Sequence, residues 1–272
     1  MEGNELSAAL RGGKRIYGTA ILSPSPRWIQ GLAGLGLDCV FIDTEHIPLD
    51  IHQVAWMCHG YRGLGYPSLV RIPSPSPYEA TRVLDAGATG IIAPYIESVE
   101  QVVALRGAIK LQPLKGKKLQ AILAGDEQLD GELGSYIQHR NRDHVFVINI
   151  ESVPAMQALD DILKVPGLDA VLIGPHDLSC NLGIPEQYDH PRFDQAVREI
   201  FHKARAHNVG AGIHYWVSID QVTSWMKNDG LNLLFHHSDL SLFRESLSKD
   251  LRRVWDGVGE ERKLGGGEDK AI

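Results

Sequence analysis

Cysteine is sparse in this chain. Cys39, Cys58 and Cys180 form an odd, scattered set of three with no C-x-x-C pair, so neither a disulfide framework nor a thiolate zinc site is indicated, and a reducing compartment fits. Positive charge is also in deficit: 27 Lys and Arg against 34 Asp and Glu leave a net charge of -7, the opposite of a nucleic-acid surface. Long apolar runs are missing, and none approaches the roughly 18 residues of a membrane span. The opening "MEGNELSAALRGGK" carries acids and no apolar stretch of signal-peptide length. The expectation is a cytoplasmic protein with no membrane and no nucleic-acid partner.

What the sequence does contain is a rhythm. Short runs rich in Ile, Val and Leu recur as "IYGTAIL", "CVFIDTE", "SLVRIP", "GIIAPYIE", "HVFVINIE", "AVLIGPHD", "VGAGIHY" and "LNLLFHH". They are apolar almost throughout instead of alternating, which reads as parallel strands covered on both faces. Helix starts follow them. Ser25-Pro26 and Ser76-Pro77 offer an N-cap serine with proline at the first helical position, and Ser98 with Gln101 and Ser218 with Gln221 have capping-box spacing. A stop falls at "KNDG", ending in Gly230. The order is strand then helix throughout.

Eight such units with no linker between halves predict an α/β fold, a parallel eight-stranded (β/α)₈ TIM barrel spanning residues 1–256 as a single domain. Residues 111–143 are the one long interruption, between strands four and five, and "KKLQAIL" inside it competes with "HVFVINIE" for the fifth strand. The tail from Gly257 to Ile272 is glycine-rich and charged and is expected to be disordered.

A barrel puts its chemistry at the C-terminal ends of the strands. Those ends hold Asp43, Glu45 and His46, Arg71, Glu97, Glu151, Asp177, His214, and His236 with His237. Glu151 and Asp177 end consecutive strands, and two adjacent buried anions repel unless something positive lies between them. A divalent cation answers that need, and two carboxylates plus waters suit Mg²⁺ or Mn²⁺, with Co²⁺ a further candidate. The same acids could instead be salt-bridged or cap helices. In "GPHDLS", Gly174 and Pro175 make a turn whose backbone N–H groups can hold a carboxylate beside Asp177. Arg71 would point a guanidinium into the mouth, either onto a planar oxyanion or onto the neighbouring acids. His46 is the candidate proton carrier. Asp43 on the same segment and Asp85 in "LDAGA" are candidates to orient its ring.

Taken together these segments resemble a known family. "FIDTEHIP" is similar to the D-x-E-H-x-P segment of the HpcH/HpaI aldolases, the metal-dependent class II pyruvate aldolases, and "VRIP" to their V-R-P strand end. "LDAGATGIIAPYIESVEQ" resembles L-D-x-G-A followed by P-x-V-E-[ST], "NIES" resembles Q-x-E-[ST], and "AVLIGPHDLSCNLG" resembles F-x-G-P-x-D-L-S-x-x-L-G. Each motif is weak alone, but here they occur in order over about residues 14–250.

The resemblance implies a lyase that cleaves a 4-hydroxy-2-oxo acid to pyruvate and an aldehyde. Glu151 and Asp177 would hold the metal, Arg71 would polarise the keto or enolate oxygen, and His46 would be the base supported by Asp43 and Asp85. Asn149 and the backbone around Gly174 and His176 would contact the substrate. It also implies a homo-oligomer, often assembled through the last helices, and "SDLSLFRESLSKDLRRVW" has apolar spacing that would suit an interface or packing on its own barrel. Departures are visible too. Asn149 stands where the family has glutamine, "KKLQAILAG" replaces R-G-x-G, and His176 replaces a small residue. His214, Trp216, His236 and His237 crowd the last two strand ends, where they could reshape the acceptor pocket or add a metal ligand. Two alternatives stay open: related enolate chemistry such as oxaloacetate decarboxylation or another C–C cleavage, and a barrel that binds an acid metabolite without catalysis.

Overall fold

The computed structural model describes residues 1–262. Its sheet is a closed barrel in the order β1-β2-β3-β4-β5-β6-β7-β8, every neighbouring pair parallel. The strands are β1 Ile16–Ile21, β2 Cys39–Asp43, β3 Ser68–Arg71, β4 Gly90–Ala93, β5 Val145–Ile150, β6 Ala170–Ile173, β7 Gly210–His214 and β8 Leu233–Ser238. All eight apolar runs of the sequence are strands, and "KKLQAIL" is not: it lies in a helix.

Side chains alternate along a strand, so one parity fills the barrel and the other meets the helices. Cys39 and Phe41, Leu69, Ile92, Val145 and Val147, Leu172, Leu233 and Phe235 form the interior cluster, whereas Val40, Ile42, Val70, Phe146, Ile148, Val171 and Ile173 belong to the layer under the helices. The interior is tight enough that a Cβ on Gly18 would lie 2.7 Å from the Phe235 ring. Extending the inward parity by one or two steps reaches Asp43, Glu45, Arg71, Asn149, Glu151, Gly174, His214 and Trp216. The same alternation that packs the core therefore aims these residues into the mouth.

The helices are α2 Pro26–Leu32, α3 Ile51–Gly63, α4 Pro77–Asp85, α5 Val99–Lys110, α8 Val153–Ile162, α10 Pro191–Ala206, α11 Ile219–Asn228 and α12 Asp239–Val258, with α1 Gly3–Arg11, α6 Gly116–Ala124, α7 Gly131–Asn141 and α9 Pro175–Asn181 added to the basic plan. The serine caps form as expected at Ser25, Ser76 and Ser98. Ser218 caps α11 through the Gln221 N–H, but the Gln221 side chain serves Tyr215 and Tyr188 instead of closing the box.

A helix before the first strand was not expected. In α1, Leu6 and Leu10 are fully buried in the interior cluster and close the N-terminal end of the barrel. With only two large apolar residues in nine, its periodicity is too thin to stand out. Residues 111–143 fold as α6 and α7, which join Leu111, Ile122 and Ile137 in a small core of their own. At the other end of the chain, Gly257 and Val258 are the last residues of α12, so helix replaces the first part of the expected tail; residues 263–272 lie outside the described residues. Among the residues of α12 only Asp239 is buried. Among the described residues no helix is long and apolar enough to cross a membrane.

Candidate active site

A cavity of about 420 Å³ opens at the C-terminal ends of the strands, with His46, Arg71, Asn149, Gly174, His176 and Asp177 in its wall. With His214 and Trp216, which also line it, eight of the residues singled out in the sequence thus come together, while Asp43, Asp85 and Glu151 are not in its wall. No residue of 111–143 lines it, so the altered segment does not shape this mouth within the chain.

The charged floor is built by β2 and β3. Arg71 Nε and Nη2 each lie 2.8 Å from an oxygen of Asp43, a two-pronged pair, and Arg71 Nε is also 3.0 Å from Glu45 Oε2. Burial alone would raise the Asp43 carboxyl, but its hydrogen bonds and charge contact with Arg71 prevail and hold it below the usual carboxylate range. Burial also opposes charge on Arg71, and Asp43, with Glu45 and Glu151 behind it, more than offsets that and raises the guanidinium. Arg71 is therefore charged, buried and fixed in orientation.

His46 lies on the wall with its side chain 42% exposed, and its Nε2 is 3.8 Å from Glu45 Oε1. The acid nearest its ring nitrogen is Glu45, while the oxygens of Asp43 are engaged by Arg71 and by the Glu45 N–H at 3.0 Å. Asp85 does not join the group. It is the last residue of α4, exposed, and a turn through Gly87 leads from it into the first residue of β4. In a βα barrel the helix end that precedes a strand lies on the face away from the mouth. Within this chain Asp85 borders a separate cleft with Tyr78 and Lys115.

Glu151 receives the Tyr95 backbone N–H at 2.8 Å and the Asn149 Nδ2 at 2.9 Å. Burial raises its carboxyl above the ordinary value against those hydrogen bonds, and the charges of Asp177 and Glu45 add to the rise. A Cβ on Gly174 would lie 2.7 Å from Glu151 Oε2 and 3.7 Å from Asp177 Oδ2. A side chain there would displace the Glu151 carboxylate, and the two carboxylates converge on one spot. The Asn149 Oδ1 nearby is buried without a hydrogen-bond partner.

This arrangement fits a divalent cation. Converging anionic oxygens, one with its acid form favoured by desolvation and by its neighbours, are what a bound cation would relieve. Among the described residues no group of three or more His, Cys, Asp or Glu is placed to hold a metal. Mg²⁺ and Mn²⁺ do not need such a cage, since two carboxylates with water and substrate oxygens complete their shell. The histidines of the last strands are otherwise engaged. His214 Nε2 is 2.9 Å from the His237 carbonyl, His236 Nδ1 is 3.3 Å from the Tyr215 carbonyl, and His237 Nε2 is 3.4 Å from Glu245 Oε2 on α12. Glu97 accepts from the Ser152 hydroxyl at 2.6 Å and stands outside the cavity wall.

At the start of α9, Gly174 is the N-cap and no side chain caps the helix. The His176 and Asp177 N–H groups consequently have no acceptor inside the helix and border the cavity. Two residues not singled out by the sequence complete the mouth. Tyr95 sits at φ 55°, a left-handed backbone that presents its N–H to Glu151, and its hydroxyl bonds Glu45. That acceptor, with burial and the surrounding acids, pushes the phenol up to about 12. Phe41 lies under the Arg71 guanidinium at 5.3 Å. A proline followed by an aromatic at a strand end was the available signal for Tyr95; nothing in the sequence set Phe41 apart from other core residues.

A closed parallel barrel with an arginine, a histidine and converging carboxylates at the strand C-termini has the layout of a (β/α)₈ enzyme. The family model described as HpcH/HpaI aldolase/citrate lyase matches residues 20–229, and the chain belongs to that family. It is 28% identical over 252 residues to the 5-keto-4-deoxy-D-glucarate aldolase of Enterobacter sp. (strain 638), covering 90% of this chain and 94% of the relative. It is 28% identical over 196 residues to the 2-dehydro-3,6-dideoxy-6-sulfogluconate aldolase of Pseudomonas putida, covering 72% of this chain and 76% of the relative. The crystal structure of an HpcH/HpaI aldolase from Desulfitobacterium hafniense DCB-2 superposes with a TM-score of 0.79 at 26% identity, over 96% of this chain and 98% of that one. The protein is a carbon–carbon lyase of the aldolase type that acts on small molecules.

Proposed function

We propose that this lyase cleaves a 4-hydroxy-2-oxo acid to pyruvate and an aldehyde, with Glu151 and Asp177 holding Mg²⁺ or Mn²⁺. The observation that carries the reading is the convergence of those two carboxylates at Gly174, which with Asp177 lines the same cavity as Arg71 and His46. The bound cation would supply fixed positive charge for the carboxylate and 2-oxo oxygens of the substrate. The free N–H groups of His176 and Asp177 receive the substrate carboxylate. His46, as neutral imidazole, takes the proton from the C4 hydroxyl. The C3–C4 bond then breaks, C4 becomes the aldehyde carbonyl, and the bonding pair moves through C3 and C2 onto the 2-oxo oxygen beside Arg71. Protonation at C3 by the imidazolium of His46 yields pyruvate and restores the base.

Solvent-deuterium exchange into the methyl group of pyruvate, followed by NMR, tests this without knowing the aldehyde. Exchange that needs Mg²⁺ or Mn²⁺, stops with EDTA and is lost in His46→Ala and Asp177→Ala is the expected result. Folded protein that exchanges nothing with any metal would sink the proposal.

The same reading includes assembly of like copies through α12. Leu240, Phe243, Leu247, Val254 and Val258 are 46–64% exposed on that helix, and a row of large apolar side chains in water is unfavourable until another surface covers it. A second copy supplies one by symmetry. Three unpaired cysteines support a reducing, cytoplasmic setting.

A further inference from the structure

At the other end of the barrel lies a larger cavity, of about 750 Å³, bounded by α1, the end of α5, α7 and the turn at Pro166–Gly167 before β6. Four cationic side chains line it: Arg11, Arg106, Lys110 and Arg142. Their anionic partners are fewer. Asp169, fully buried, is shared by Lys110 Nζ at 2.7 Å and Arg11 Nη2 at 2.6 Å. Arg142 turns to Asp143 at 3.1 Å, and Asp130 borders the cavity. Arg106 is half-buried, and among the described residues it makes neither a hydrogen bond nor an ion pair. Burial lowers its pKa, and burial followed by the charge of Arg11 works against Lys110 in spite of Asp169. A chain of net charge -7 thus holds an uncompensated guanidinium in a cavity walled in part by α7, within the long β4–β5 interruption.

We infer that this cavity binds a small phosphorylated metabolite, its phosphate seated between Arg106 and the Arg11, Lys110 and Arg142 side chains. Guanidinium forks match the oxygens of a phosphate, and a lysine adds a point charge from a third direction. The volume is in the usual range for a small-molecule pocket, roughly 300–1,000 Å³. Neutral groups at the edge, including the Gln138 amide, leave room for an uncharged organic portion. The location is separate from the catalytic mouth, so the two sites can be tested independently.

The probes are inorganic phosphate and glycerol 3-phosphate, titrated into the full-length protein and followed by ³¹P line broadening and by the thermal unfolding midpoint. Binding that saturates, raises the midpoint, persists in Asp177→Asn and weakens about tenfold or more in Arg106→Gln supports the site, tenfold being the loss of a single charge-assisted contact. Arg142→Gln, an exposed change, is a second variant expected to weaken binding should Arg106→Gln disturb folding. Absence of saturation by about 10 mM ligand, an affinity weaker than about 3 kcal/mol of binding energy, overturns the inference. So does binding that disappears in Asp177→Asn or is unchanged in both arginine variants.

Discussion

Arg71 and Asp43 form a two-pronged ion pair, 2.8 Å at each contact, on the adjacent strands β3 and β2. The fork leaves Arg71 Nη1 without a hydrogen-bond partner among the described residues, so the amino group not used in holding the arginine is the one available to a substrate oxygen. Lysine can keep the charge but not the fork.

Arg71→Lys should therefore lower the pyruvate exchange rate by about 10²–10³-fold, the scale for losing a fixed donor at a developing oxyanion. Asp43→Asn should act in the same direction by releasing the arginine. Exchange in Arg71→Lys within a few fold of the parent would show that orientation at Arg71 does not matter.

Gly174 gives a sharper test of the carboxylate pair. Glu151→Gln and Asp177→Asn each remove one anionic oxygen pair, and Mn²⁺ affinity by electron paramagnetic resonance should drop at least tenfold in both, in line with loss of a ligand or of its support. Gly174→Ala adds only a methyl group, but that carbon would stand 2.7 Å from Glu151 Oε2. Weakened Mn²⁺ binding is expected with circular dichroism unchanged. Parent-like affinity in all three would remove the acids from the metal site.

The barrel was open to reading because each strand falls in a short, mostly apolar run, and parallel strands buried on both faces leave that trace. Position at the strand ends carried the reading further, and the structure adds the parity: Asp43, Arg71, Asn149 and Glu151 continue the inward positions of Phe41, Leu69 and Val147. Side-chain pairing was not legible in the same way. Asp43 precedes His46 by three residues, which suggested a supporting role, yet Arg71 on the next strand is the stronger partner and Glu45 lies closer to the imidazole. Within this chain Asp85 lies away from the mouth, and a motif gives order along the chain and not which end of a helix faces the mouth. Tyr95 escaped because its contribution is a left-handed backbone that only the surrounding structure imposes.

Helix α12 offers a test of assembly. Replacing both Phe243 and Leu247, 56% and 46% exposed, with serine removes no contact within the barrel core. Analytical ultracentrifugation should show the parent chain as an oligomer and the double variant shifted to smaller species. A parent chain that sediments as a monomer at high micromolar concentration would leave the exposed row without the proposed occupant.

His214 makes a prediction about acid. Its Nε2 lies against the His237 carbonyl, which can only accept, so the ring is the neutral Nε2–H tautomer, and burial lowers its pKa from 6.5 to about 4 despite that hydrogen bond. In the unfolded chain the ring would titrate normally, so between about pH 6.5 and 4 the unfolded state binds more protons and stability falls as the pH falls. A shift of this size corresponds to roughly 3 kcal/mol across the window, the full effect being reached only below the folded value. Gln at this position retains an N–H for the His237 carbonyl and cannot titrate. Urea unfolding of the parent and His214→Gln at pH 7 and pH 5 should then show a smaller loss of stability in the variant. Equal losses in the two proteins would mean that His214 is not what makes the barrel acid-sensitive.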